Sequence, residues 1–203
     1  MDEKVLAWHF TDGMKLRDET PLECRLYETD GEPVMCRRGF HASERIIDAL
    51  RYAPGAIVSR VELSGIIVRG TDKLVATRRR VLWFVDATAI LHEFACRCAE
   101  GALNVAHVTD QRSWGAIAAK RRWLAGELTA ADLAAAWDAA WDAARAAARA
   151  AAWDAARDAA TAAAWAAARA AARDAAWAAA RAAKNALLTE MVQAAHEKQR
   201  ASR

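Results

Sequence analysis

The chain has 203 residues, a formal net charge of +3 and 55% hydrophobic residues, so it is long enough for one ordinary domain plus an extension. Basic and acidic residues nearly balance both before and after Leu128, so bulk charge does not indicate a protein of nucleic acid or anionic membranes. No stretch of about 20 residues is apolar enough to cross a bilayer.

The cysteines and the N terminus indicate a reducing compartment. Four cysteines are present, at positions 24, 36, 96 and 98, and no apolar signal segment follows the acidic start Met1–Glu3. We therefore expect free thiols rather than disulfides, and a cytoplasmic protein.

The first 55 residues predict short strands followed by one helix. Lys4–Phe10 reads as a strand, Cys24–Tyr27 as a short edge strand and Pro33–Cys36 as another. Ser43 is a candidate N-cap for a helix over Glu44–Tyr52, which a Pro-Gly pair then ends.

The next thirty residues predict a run of strands separated by turns. The predicted strands are Ala56–Leu63, Ile66–Arg69, Lys73–Thr77 and Val81–Val85. Ser64-Gly65 is read as a turn, and the run Arg78–Arg80 as a solvated face rather than a nucleic-acid patch.

Two helices follow the strands. Asp86 is a candidate N-cap for a helix over Ala87–Glu100, which Gly101 is expected to end. A second helix is predicted at about Asp110–Ala125. Together these elements make an α+β fold, with an N-terminal mixed module over residues 1–108 and a connecting helix over 109–128.

The last segment, residues 129–203, predicts one long helix. Thr129 is its N-cap, and Asp132 stands three residues later as in a capping box. Leu128 and Leu133 are placed to form a hydrophobic staple across this start. No Gly or Pro follows before Lys198, so a helix of nearly seventy residues would be roughly 100 Å long.

A four-residue repeat fills Trp137–Lys184, in which each block begins with Trp, Arg or once Thr161 and continues mainly with Ala. Four residues advance an α-helix by about 400°, so the large residues wind around the helix by about 40° per block. Because the large side chains point in several directions, burying them requires packing partners on several sides of the helix. The predicted oligomer interface comprises Trp137, Trp141, Trp153, Trp165, Trp177, Arg145, Arg149, Arg157, Arg169 and Arg173.

Three readings of the repeat compete. The first is a self-associating helical assembly, the second a surface on which Trp and Arg stack against nucleic-acid bases, and the third a sequence expansion without a selected surface. After the repeat, an apolar stripe is predicted either to dock on the N-terminal module or to close a helical bundle. Its members are Leu187, Leu188, Met191, Val192 and Ala195.

Signatures of catalysis are absent from the sequence. The five histidines show no zinc-type spacing, and there is no phosphate loop, GxGxxG or GxSxG motif. Cys24, Cys36 and His41 have an unusual spacing for a metal site. The sequence therefore predicts no catalytic residue, no metal and no cofactor.

One constellation indicates a ligand site. A first strand ends in Trp8-His9-Phe10, the segment Gly39–Ser43 (GFHAS) follows, and Glu62 lies on a later strand. This order resembles the ADP-ribosyltransferase layout, which implies a nicotinamide-nucleotide site. The resemblance makes His9, Phe40, His41 and Ser43 the candidate ligand-binding residues. Glu62 is predicted in mid-strand and Glu93 in a helix, so neither fits the catalytic glutamate.

A second resemblance covers the first hundred residues. The pieces VMCRRGFHAS, IIDALRYAPG and SRVELSGIIVRGTDKLVATRRRVLW resemble an uncharacterised family of small phage and prophage proteins. In that family a compact module precedes a variable, low-complexity tail. The resemblance implies an accessory protein in the cytoplasm of a bacterial host.

These observations favour a non-enzymatic protein that forms a homo-oligomer through its repeat. Its N-terminal module would bind an unknown host or phage protein, and a bacterial defence system is one expected target. An ADP-ribosyltransferase-like nucleotide-binding domain and single-stranded nucleic-acid binding by the Trp/Arg row are the alternatives. No membrane partner is expected, and nucleic acid is disfavoured.

Overall fold

A computed structural model describes the backbone of residues 3–157 and 162–202, and the side chains of residues 3–149 and 176–202. The fold is α+β, as the sequence predicts. The strands are β1 (Val5–Thr11), β2 (Leu26–Glu28), β3 (Phe40–Ala42), β4 (Ile57–Arg69) and β5 (Leu74–Asp86). The helices are α1 (Ile46–Leu50), α2 (Thr88–Val105), α3 (Gln111–Leu124), α4 (Ala130–Arg157) and α5 (Ala162–Ala201).

The chain divides into two compact units. The first joins Met1–Leu91 to Arg181–Arg203, and the second is His92–Ala180. The sequence prediction placed divisions at residues 108 and 128 instead, and grouped the repeat and the C-terminal amphipathic segment together in residues 129–203. The structure therefore groups the last 23 residues with the N-terminal strands.

The strands of the first unit form an antiparallel sheet that curls on itself. The order along the sheet is β1-β4-β5-β2, and β3 also pairs with β5. Beyond the end of β3, Ser43 pairs with Trp8 of β1 through two backbone hydrogen bonds of 2.8 and 2.9 Å. Backbone pairing therefore runs in a closed circuit through β1, β4, β5 and β3.

Two long strands, β4 and β5, replace the four short strands predicted from the sequence. The predicted turn at Ser64-Gly65 is wrong, because β4 continues through a shift of register between Ser64 and Ile67. Gly65 has φ +76°, and a Cβ there would lie 2.3 Å from Thr77 Oγ1. Glycine thus permits a bulge within the strand, where the sequence suggested that it ended one. Likewise, Arg78–Arg80 lie inside β5.

The region before α1 also departs from the prediction. Pro33–Cys36 is no strand, because the Val34 N–H donates to the Arg38 carbonyl at 2.8 Å in a tight turn. Ser43 is no N-cap, because it is buried and paired with Trp8, and α1 begins only after Arg45, whose side chain forms no cap. Extended pairing thus outweighs the capping preference of serine at this position.

An apolar core lies inside the curled sheet. Its members come from all five strands and from the loop between β1 and β2. They are Ala7, Leu16, Leu22, Tyr27, Ala42, Val61, Leu63, Leu74, Ala76 and Val81.

The end of α5 completes the first unit. Arg181, Asn185 and His196 contact α1 or β5: Asn185 Oδ1 accepts from the Ile47 N–H at 3.3 Å, and the His196 ring stacks on Trp83 with 4.1 Å between centroids. Leu188 and Val192, which are fully buried, lie between these contacts at helical spacing. Of the two alternatives predicted for the C-terminal apolar stripe, the structure shows the one in which it docks on the N-terminal module.

The contact between α1 and α5 is anchored by a buried carboxylate. Asp48 is 2% exposed and accepts from Arg45 Nε at 2.6 Å and from Arg181 Nη2. The Asp48 contact raises the pKa of Arg181 above its ordinary value. Since a buried charge is costly without partners, these two guanidinium groups are what permit Asp48 to be buried there.

We predict that Arg181→Ala lowers the free energy of unfolding of the first unit, because it removes a charged hydrogen bond to a buried carboxylate. Urea unfolding followed by tryptophan fluorescence measures the change. Lys184→Ala, an exposed position one turn along the same helix, is the matched control and should remain within about 0.5 kcal/mol of the parent. Equal stability of the two variants would contradict the anchoring role of Arg181.

The second unit contains α3, α4 and most of α2. Arg121 of α3 donates to Glu93 at 2.9 Å and also binds Glu100, both on α2. These contacts lower the pKa values of both glutamates. The Arg121 guanidinium therefore joins α3 to α2 through bidentate hydrogen bonds to the two carboxylates.

The start of α4 follows its predicted cap, α3 has a cap that the sequence analysis did not name, and the end of α2 differs from the prediction. The Asp110 carboxylate accepts from the Arg112 N–H at 2.9 Å at the start of α3. Thr129 and Asp132 exchange reciprocal hydrogen bonds of 3.2 and 3.0 Å, so the capping box at the start of α4 is confirmed. Gly101 does not end α2, which continues to Val105 before His107 turns the chain with φ 51°.

Helices α4 and α5 account for most of the predicted long helix. The junction, residues 158–161, lies outside the described residues, so a single continuous helix stays a prediction. Among the described residues, no helix has the length and apolarity needed to cross a membrane.

Candidate functional site

A polar cluster lies on the inner face of the curled sheet. Ser59 and Leu63 alternate along β4 on the face that points into the core, and both are fully buried. Their cross-strand partners share that face: His9 lies opposite Ser59, and Arg79 lies opposite Leu63. The sheet therefore places three polar side chains among apolar ones.

Arg79 is the dominant charge of this cluster. Its side chain is 3% exposed, and its guanidinium carbon lies 5.0 Å from the centre of the Phe40 ring. Its Nη1 donates to the His41 carbonyl at 3.4 Å, whereas its Nε is buried and has no hydrogen-bond partner among the described residues. Burial lowers the pKa of Arg79 to about 10, because a desolvated cation is destabilised.

His9 is held neutral beside this cation. Burial lowers the pKa of His9 well below its ordinary value, and the charge of Arg79 lowers it further. A hydrogen bond with the His41 backbone opposes part of that shift. At neutral pH the His9 ring is therefore uncharged, and it serves as a hydrogen-bonding group.

His41 is committed to the local fold. Its Nε2 accepts from the Cys36 N–H at 2.9 Å, so in the neutral ring the proton is on Nδ1, and a backbone hydrogen bond with Gly39 is also formed. Burial lowers the pKa of His41, although the Gly39 bond opposes this. Cys36 has φ 63°, so the His41 ring supports a left-handed turn.

The remaining candidates, Phe40 and Ser43, have packing roles here. Phe40 is partly buried against the core and covers the Arg79 guanidinium. Ser43 closes the strand circuit through its backbone. The structure thus gathers His9, Phe40 and His41 around Arg79, and leaves Ser43 at the edge of the sheet.

Sequence reasoning missed Arg79 and Ser59. The Arg78–Arg80 run was interpreted as a solvated face, which is wrong for Arg79. A signal was available, because a strand alternates its faces, so the middle residue of three must point away from the other two. It was overlooked because the prediction ended one strand before the run and began another after it.

The acids considered for transfer chemistry are engaged elsewhere. Glu62 pairs with Lys4 at 3.1 Å. Glu93 is bound by Arg121 and Arg97 in the second unit. Within the described side chains, no three His, Cys, Asp or Glu groups converge as metal ligands do.

The second candidate surface is the start of the repeat on α4. Trp137 is 52% and Trp141 61% exposed, and they line a groove of 380 Å³ with Leu133, Asp138 and two alanines. Ala143, on another side of the helix, is 4% exposed. The Trp row therefore starts beside the buried side of α4 and winds toward solvent, as its 40° drift requires.

The other predicted interface residues are only partly described. Trp177 of α5 is 73% exposed, and Arg145 and Arg149 are exposed on α4. Arg145 forms an ion pair of 3.4 Å with Asp142. The remaining side chains lie outside the described residues; they are Trp153, Arg157, Trp165, Arg169 and Arg173.

Comparison with known proteins gives one match. Residues 9–93 match a family described as Domain of unknown function (DUF7666). The match spans β1 to the first residues of α2, including the His9, Ser59 and Arg79 positions, and stops before the repeat. The description names neither an activity nor a phage origin. No curated protein and no solved structure matches the chain.

The neutral histidines predict a pH-dependent stability. Both have folded pKa values below the ordinary 6.5, so the unfolded chain binds protons first as the pH falls. The stability they contribute is therefore full above about pH 6.5 and is lost as the pH drops toward their folded pKa values. Urea unfolding between pH 7.5 and 5.5 should show this decline.

Two matched variants test whether His9 causes the loss of stability at low pH. His9→Asn should flatten the decline between pH 7.5 and 5.5, whereas His107→Asn should retain it, because His107 is exposed and asparagine tolerates its positive φ. A decline that is unchanged in His9→Asn would show that the His9 ring is not held neutral.

Proposed function

We propose that this protein is a non-enzymatic assembly module that self-associates through the Trp-bearing face of its repeat. The observation that carries the proposal is the pair Trp137 and Trp141, which remain more than half exposed at a groove lined by alanine and leucine. Two neighbouring indoles around small side chains form the kind of apolar patch that marks an interaction surface.

A second copy of the chain is the occupant that the charges favour. On α4 the free side carries Asp138 and Asp142 toward the N terminus, and Arg145 and Arg149 toward the C terminus. An antiparallel copy brings each acidic pair opposite the basic pair of its neighbour. A parallel copy would place like charges together, so the antiparallel arrangement is favoured.

The burial available is sufficient for association. Each indole buries about 150–250 Å² in full, so covering the exposed halves of two indoles contributes roughly 5 kcal/mol per copy before the cost of association. Alanine between the large residues permits close approach of the two backbones.

We predict that Trp137→Ala with Trp141→Ala lowers the mass of the protein in solution. The parent should show at least twice the monomer mass of 22.1 kDa by light scattering on size-exclusion chromatography, and the double variant should shift toward the monomer. The shift is expected because the variant removes both exposed indoles of the groove.

The matched control removes two exposed apolar side chains from the first unit. Leu6 and Ile66 are 51% and 54% exposed, and Leu6→Ala with Ile66→Ala should leave the mass unchanged. A parent protein that is monomeric, or a Trp variant with the parent mass, would exclude this surface as the interface.

A charge-reversal series tests the orientation. Asp138→Arg with Asp142→Arg should weaken association by about tenfold, because each copy then opposes four basic groups. Adding Arg145→Asp and Arg149→Asp to the same chain should restore the dissociation constant measured by analytical ultracentrifugation. Failure of the second pair to restore association would exclude the antiparallel arrangement.

The N-terminal module would then present the partner-binding part of each copy in an assembly. A host or phage protein as partner, interference with a defence system and a cytoplasmic location are proposed from the sequence resemblance. Capture of single-stranded nucleic acid by the exposed Trp and Arg groups predicts instead a binding constant that falls steeply with salt.

A further inference from the structure

We propose that the cluster of His9, Ser59 and Arg79 inside the curled sheet is a binding site for a small oxyanion of the phosphate class. This site lies in the first unit, apart from the α4 surface, and its test does not depend on self-association. The ligand chemistry is shared by inorganic phosphate and by the phosphate group of a nucleotide.

The first support is a buried cation without a matching anion. Arg79 is 3% exposed, and no carboxylate among the described residues lies within ion-pair distance of it. Asp18 acts on it only through space, and that carboxylate is exposed and accepts from the Thr20 N–H. A guanidinium in this state is stabilised by a bound oxyanion, which would supply the missing charge.

The second support is a pair of unused hydrogen-bonding groups on one face of the sheet. Arg79 Nε and Ser59 Oγ are both buried and have no partner among the described residues. An N–H and a hydroxyl are both donors, and an oxyanion accepts from several donors at once. Neutral His9 lies opposite Ser59 on β1 and hydrogen-bonds the His41 backbone, to which Arg79 Nη1 also donates, so His9 links the two groups.

The third support is the sign of the surrounding charge. Arg79 depresses the pKa of His9 and of His41, and Lys73 adds to the effect at His41. The electrostatic interactions that reach the two rings are therefore those of cations. A bound anion would reverse this field, so the site is electrostatically suited to negative charge.

We place the entry of the ligand on the side of β3. Phe40, whose ring covers the guanidinium at 5.0 Å, is only partly buried, as are His9 and His41. Phe40 is therefore one of the side chains that cover Arg79.

Calorimetric titration and thermal unfolding of the full chain test the proposal. Inorganic phosphate and adenosine monophosphate are the probes, at constant ionic strength maintained with chloride. We expect saturable binding of at least one probe and a rise in the unfolding temperature with its concentration. Binding of inorganic phosphate but not of adenosine monophosphate would indicate that the ligand is the free anion. Tighter binding of the nucleotide would indicate a larger ligand that carries a phosphate group.

Three variants locate the binding. Arg79→Met keeps the length of the side chain and removes its charge; it should abolish saturable binding. Ser59→Ala should weaken binding by about tenfold through loss of one donor to a charged group. Arg80→Met, the exposed neighbour on the same strand, should bind as the parent does.

The variants also separate loss of binding from loss of folding. Arg79→Met removes an uncompensated buried charge, so its unfolding temperature without ligand should equal or exceed that of the parent. The proposal is overturned if neither probe binds the parent up to millimolar concentration. It is equally overturned if Arg79→Met retains binding, or if Arg80→Met loses as much as Arg79→Met.

Discussion

The structure depends on a buried carboxylate that joins two distant parts of the sequence. Asp48 of α1 is buried because Arg45 and Arg181 both bind it, and Arg181 comes from α5, more than 130 residues away in the chain. Leu188 and Val192 then bury the same side of α5. The N-terminal strands and the C-terminal segment therefore form one unit, so the repeat is an insertion within its sequence rather than a free tail.

This arrangement explains how the repeat can vary without affecting the sheet. A helical segment whose two ends lead into compact structure is free to vary between them without disturbing the sheet. The match to a known family likewise ends at residue 93, before the repeat. The first blocks of the repeat, on α4, expose two indoles. Acidic side chains lie toward the N terminus of this segment and basic side chains toward its C terminus, an arrangement compatible with the proposed pairing of two copies.

Local signals in the sequence predicted the helices of the second unit well, because capping is a local interaction. Thr129 and Asp132 form the capping-box bonds expected of them. The sheet was predicted less accurately, because its pairing is long-range. Gly65 was interpreted as a turn and is a bulge within β4, since only the partner strand β5 decides between the two. Ser43 was interpreted as the N-cap of a helix, although it pairs with Trp8 of β1.

The candidate site was predicted in part. His9, Phe40 and His41 follow from the order of motifs, and the structure places them together. Arg79 and Ser59 were missed, because an arginine run and an irregular strand conceal which side chains point inward. Their burial depends on the closed circuit of strand pairing, which the Trp8–Ser43 pair completes, and that circuit is not a local property of the sequence.

The most direct test of the split unit is complementation between fragments. A fragment of residues 1–128 should unfold at a lower temperature than the intact chain, because the surface that α5 covers is left open. A peptide of residues 181–203 should bind this fragment and raise its unfolding temperature, and the same peptide with Arg181→Ala and Leu188→Ala should not. If the fragment is as stable as the intact chain and the peptide does not bind, the C-terminal segment is not part of the N-terminal unit.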